Sequence, residues 1–128
     1  MLSSRKHRVQ SESLGTSRAE ILRKATTRAA AALKLKNQEL AKLLGVSAST
    51  ITRVMEGRPI EGKAEELAIL FVRMFRSLDA VLGGDADACQ KWLHAENTHL
   101  GDRPVQRIQS VEGLVHVTQY LDGMRGKA

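Results

Sequence analysis

Apolar residues recur along this chain at spacings of three and four and nowhere in sustained alternation, a pattern that predicts helices from end to end. In the first periodic segment Ile21, Leu22, Ala25, Ala29, Ala32 and Leu33 share one face, with Arg23, Arg28 and Lys34 opposite. Ser17 and Glu20 have capping-box spacing in front of it, and the helix is expected to end near Leu35. Asn37 is a good N-cap for a second helix that stops at Gly45, and Ser47 caps a third, Ala48 to Met55, closed by Gly57 and Pro59. Gly62 opens a longer helix, Lys63 to Leu82. Leu67, Leu70, Phe71, Met74 and Leu78 are joined there by Ala68, Ile69 and Val72, so it is apolar nearly all round and has more to bury than one neighbour can cover. Gly83-Gly84 stops it, and Asp85 caps a helix from Ala86 to about Ala95. Pro104 fits a first helical position, and Ser110 caps a last helix with Val111, Leu114, Val115, Thr118, Leu121 and Met124 on one face. The expected fold class is all-α.

The chain then divides into three parts. Residues 1–16 lack apolar periodicity and read as a flexible basic arm, residues 17–62 as a compact unit of three helices, and residues 63–128 as a second helical unit. Aromatics make up 3% of the chain against 42% apolar residues, so the core must be aliphatic, which suits packed helices. The net charge of +6 is unevenly placed. Residues 1–36 carry +7, residues 37–62 are neutral and residues 63–128 carry −1, a localised excess that fits a polyanionic partner.

Several function classes fall away at this point. No apolar run approaches a membrane span, no secretory h-region follows Met1, and the single cysteine, Cys89, fits a reducing cytoplasm. His7, His94, His99 and His116 show no metal-ligand spacing, and Gly83-Gly84 lacks the sequel of a phosphate loop. Asp85 and Asp87 suit a helix start rather than acid–base work, and Cys89 and Trp92 read as core residues. No enzyme activity, metal or cofactor is expected.

The positive signal lies between Asn37 and Gly57, NQELAKLLGVSASTITRVMEG. Ala41 is small where two helices approach, Gly45 suits a left-handed turn, and Val46, Ile51 and Val54 pack the second helix onto the first. Ser47, Ala48, Ser49, Thr50 and Arg53 are then left facing outward, as base-reading positions of a recognition helix must be. The stretch resembles the helix-turn-helix of the Xre/Cro-repressor family. That resemblance implies binding to double-stranded operator DNA, a phosphate held by Gln38 at a helix N-terminus, and a guanine edge or second phosphate for Arg53.

Beyond it stand Trp92-Leu93, Asn97, Leu100-Gly101 and Pro104, then Gly113, Val117 and Leu121. These resemble the Xre/MbcA/ParS-type toxin-binding domain of antitoxins, a W-L, N-x-x-L-G-x-x-P core followed by a G-x-x-x-V-x-x-x-L helix. Val105 to Ile108 depart from the residues usual after the proline. The resemblance implies that residues 63–128 are a dimerisation and toxin-binding unit. It further implies an antitoxin that neutralises a RES-domain, NAD-degrading toxin and represses its own operon. Leu121, Met124, Arg125 and Lys127 are the expected toxin-contacting residues, on a basic flexible tip. A homodimer is expected from the apolar helix 63–82 and from the two half-sites of a palindromic operator. The alternative is a plain helix-turn-helix regulator whose C-terminal half only dimerises or senses a ligand.

Overall fold

A computed structural model describes residues 18–126, and among these every regular element is a helix. In chain order they are α1 (18–32), α2 (Asn37–Leu44), α3 (Ala48–Met55), α4 (Lys63–Val81), α5 (Ala86–His94), α6 (Pro104–Arg107) and α7 (Val111–Gly126). The arm at 1–16, the expected cap Ser17, and Lys127 lie outside the described residues.

The stop and start signals act where their chemistry predicts, with one shift. Gly45 ends α2 at φ 69°, Ser47 Oγ accepts from the Thr50 amide at 3.1 Å, and Asp85 accepts from the Ala88 amide at 3.1 Å. Ser110 Oγ accepts from the Gly113 amide at 3.1 Å, and Pro104 opens α6. The shift is at α2, whose N-cap is Lys36 rather than Asn37. The Glu39 carboxylate reaches back to the Lys36 amide at 2.8 Å, which makes Asn37 the first helical residue. The Glu20 carboxylate accepts from Arg23 at 2.6 and 2.9 Å, and its expected capping partner, Ser17, lies outside the described residues.

Helix α4 is the organising element. It packs along α7, receives α2 near its start and meets α5 near its end. Its buried residues Leu67, Ala68, Phe71, Met74 and Leu78 belong to one continuous core with Leu33, Leu40 and Ile51 on one side and Leu114, Val117 and Leu121 on the other. Neighbours within the chain therefore cover most of the apolar girth seen in the sequence, and Ile69, 54% exposed, is the main apolar position left out.

Two predicted stripes are corrected. On α7 the face toward α4 is Leu114, Val117, Thr118 and Leu121, while Val111, Val115 and Met124 are exposed. Both candidate stripes have helical spacing, and the position of α4 decides between them. On α1 the buried residues are Thr26, Ala29 and Ala30, followed by Leu33 just past its end, whereas Ile21 is 64% exposed.

Candidate functional site

Helices α2 and α3 form the corner that the Ala41–Gly45 spacing predicts. Ala41 is buried in the joint, its carbonyl accepts the Val46 amide at 3.0 Å, and Ile51 and Val54 fix α3 to the body. With those two buried, α3 has no freedom to rotate, and Ala48, Ser49 and Arg53 are exposed together. Ser47 is exposed at the amino end, where its hydroxyl lies 3.0 Å from that of Ser49 and 2.9 Å from that of Thr50. Thr50 is only half outward, turned toward a pocket with Val46 and Val54. The periodicity did not single out Thr52, yet it is exposed beside Arg53, with its hydroxyl donating to the Ala48 carbonyl at 3.3 Å.

Gln38 is exposed in the first turn of α2. The opening amides there lie outside the i to i−4 ladder and carry the positive end of the helix dipole. Exposed Lys36, Lys42 and Arg58 add cations around the corner. Arg23, expected on the solvent face of α1, instead donates from Nη1 to the Val54 carbonyl at 3.1 Å and is clamped by Glu20. It joins α1 to the end of α3 as a second donor to a carbonyl that already accepts the Gly57 amide at 3.1 Å. The separate hydrogen bonds that Arg23 donates to Glu20 hold the Glu20 carboxyl below its ordinary range. No spacing rule points to a contact across 31 residues.

The second set of candidates lies at the far end of α7. Leu121, expected as an anchor for the toxin, is fully buried against the core and serves to hold the helix. Met124 and Arg125 are exposed. The expected flexible tip is corrected as far as Gly126, because residues 124–126 continue α7 as regular helix. The reason is a polar clasp that the sequence did not reveal. Asp122 is engaged by Arg73 and accepts from fully buried Ser77 at 2.8 Å, while Arg125 donates to the same Ser77 hydroxyl at 3.3 Å.

The landmarks between α5 and α7 build structure. Trp92 stacks on Tyr120 with centroids 6.5 Å apart. Asn97 Oδ1 accepts the amides of His99 and Leu100 at 3.0 and 3.2 Å, turning the chain so that Leu100 is buried. Gly101 takes φ 77°, a left-handed value open to glycine, and Pro104 is buried at the start of α6.

Two family models match this chain. The antitoxin Xre-like helix-turn-helix domain covers residues 11–73, and the antitoxin Xre/MbcA/ParS C-terminal toxin-binding domain covers residues 77–127. The chain belongs to the Xre-type antitoxins. A comparison with curated proteins found no match.

In this antitoxin the two matched regions meet on α4, the first ending and the second beginning within its last three turns. They are also tied through α5. Gln90 Nε2 donates to the Ala32 carbonyl at 2.7 Å, and His94 Nε2 lies 3.1 Å from the Leu33 carbonyl, so C-terminal side chains close the end of α1. Cys89 is buried, and burial, followed by the charges of Asp79 and Asp85, pushes its thiol above the ordinary range. A protonated, enclosed thiol is a poor nucleophile. Among the described residues no group of three His, Cys, Asp or Glu converges as a metal site, and no helix is long and apolar enough to cross a membrane.

Proposed function

We propose that this chain is the antitoxin of a type II toxin–antitoxin pair in the cytoplasm, blocking a RES-domain, NAD-degrading toxin and repressing its own operon as a homodimer. One observation carries the reading: a chain with one continuous core presents the outward face of α3 in one matched region and a helical tip, with Met124 and Arg125 exposed, in the other. On the DNA side Gln38 holds a phosphate, Ser47, Ala48, Ser49, Thr50 and Arg53 face the major groove, and the arm at 1–16 adds phosphate contacts through Arg5, Lys6 and Arg8. On the toxin side Met124, Arg125 and Lys127 cover the entrance to the active site, the cations pairing with acidic residues there. Leu121 supports them from the core. The RES-type target rests on the resemblance of the Trp92-to-Leu121 landmarks, and the dimer on the symmetry of an operator with two half-sites.

The test is recovery of the tagged full-length chain from its host together with whatever binds it stoichiometrically. A small enzyme that depletes NAD when expressed alone, and is silenced by the full chain but not by one lacking Met124 to Ala128, is the expected result. Operator binding by the shortened chain is expected to persist. Recovery of operator DNA and a self-dimer with no enzyme overturns the antitoxin–RES reading. A shortened chain that still neutralises overturns the role of the tip.

A further inference from the structure

Helices α1 and α4 leave an apolar groove of about 470 Å³ between them. Leu22 and Val72 line it, and Ile21 and Ile69 stand in it more than half exposed. A single exposed aliphatic residue is ordinary on a protein surface, whereas two lining one continuous groove mark a place for a partner.

The charges along this groove name the partner. Past Ile69 toward the start of α4 the surface is lined by Glu61 and Glu65, and at the opposite end by Arg73, Arg76 and Arg125. Arg18, on the α1 wall, lines both parts. On α4 itself Glu65 and Arg73 stand four residues to either side of Ile69, about 6 Å along the axis in each direction. Arg76 stands seven residues beyond Ile69, about 10 Å along the axis, and Glu61 lies in the loop just ahead of α4, on the same surface as Glu65. A second copy laid antiparallel across Ile69 therefore sets Glu65 against Arg73 and Glu61 near Arg76. A two-fold axis makes each contact twice. A parallel copy sets like charge on like, and a uniformly acidic partner satisfies the arginines while repelling both glutamates. Among the described residues neither Glu61, Glu65 nor Arg76 has an ion-pair partner of its own.

We propose that this groove is a two-fold interface between two copies of the chain, antiparallel along α4 and centred on Ile69. It rests on the homodimer of the proposed function and gives that dimer its surface.

The experiment measures the mass of the full chain by sedimentation across a range of concentrations, with helix content and melting as the check on folding. The wild type is expected to be a dimer, and Ile69→Glu a folded monomer, since the position is solvent-facing within one copy. Glu61→Arg and Arg76→Glu are each expected to weaken self-association about tenfold at low salt, because each sets like charges together twice. An equimolar mixture of the two should recover a tight heterodimer, because both repulsive contacts become attractive. A monomeric wild type overturns both the dimer and its surface. A dimeric wild type that Ile69→Glu leaves intact overturns the surface alone, placing the dimer contact elsewhere. A mixture no tighter than its two components overturns the antiparallel register.

Discussion

At Gly113 the backbone leaves no space for a side chain. A Cβ there would stand 1.7 Å from the Arg107 carbonyl oxygen and 2.6 Å from its carbon, both main-chain atoms that cannot swing aside. Gly113→Ala is therefore expected to lower stability by about 3 kcal/mol, at the upper end of ordinary overpacking. Gly123, in the same helix with nothing near its missing Cβ, is the internal control, and Gly123→Ala should raise stability by up to about 1 kcal/mol. Urea melts of the two variants read out the opposite signs. Gly113 was visible in the sequence as a landmark, but the reason for it was not. The close approach is created by the short α6 folding its end under α7, which no one-dimensional spacing encodes. Asn97 and Ser77 illustrate the same divide. The local turn made by Asn97 is written in its neighbours, whereas the partner of Ser77 lies 45 residues away.

At the scale of single helices, periodicity located α2 to α7 to within a residue or so at most ends, since capping and apolar spacing are local properties. It could not choose among several apolar faces, and on α1 and α7 it favoured a face that the structure leaves partly in water. The recognition helix was the easier case because Ile51 and Val54 are its only strongly apolar pair at facing positions before Met55. Its outward residues accordingly separate into two kinds of contact. Arg53→Ala should erode discrimination between operator and random DNA by about 1–3 kcal/mol, the value of a good base contact. Gln38→Ala should weaken both complexes alike, as a lost phosphate contact does. Titrations on the two DNAs at fixed salt decide this, and a uniform loss for Arg53→Ala would assign that residue to the backbone.

On the scale of the whole molecule, the halves distinguished by composition share a core, and α4 runs through both. The sequence shows where charge and motif change but not that α5 reaches back to close α1. Removing that closure should be felt on both sides of the joint. Gln90→Ala is expected to cost about 1 kcal/mol, the net value of one hydrogen bond with an acceptor left partly bare. Hydrogen exchange should show the loss at the end of α1 as well as in α5, and a change confined to α5 would mean that the two regions open independently.

The clasp around Ser77 has a further consequence for whatever docks on the end of α7. Because Asp122 and Arg125 fasten that end to α4 before any partner arrives, residues 121–126 are already in helical form. A segment that had to fold on contact would give up about 1–2 kcal/mol for each residue it ordered, and the complex would be weaker by that sum. Here the helix meets its partner with that entropy already lost during folding. Affinity can then come from a small footprint, and loosening the clasp at a distance, through Ser77 rather than at the contact, would shorten the lifetime of the complex without removing a single atom from its interface.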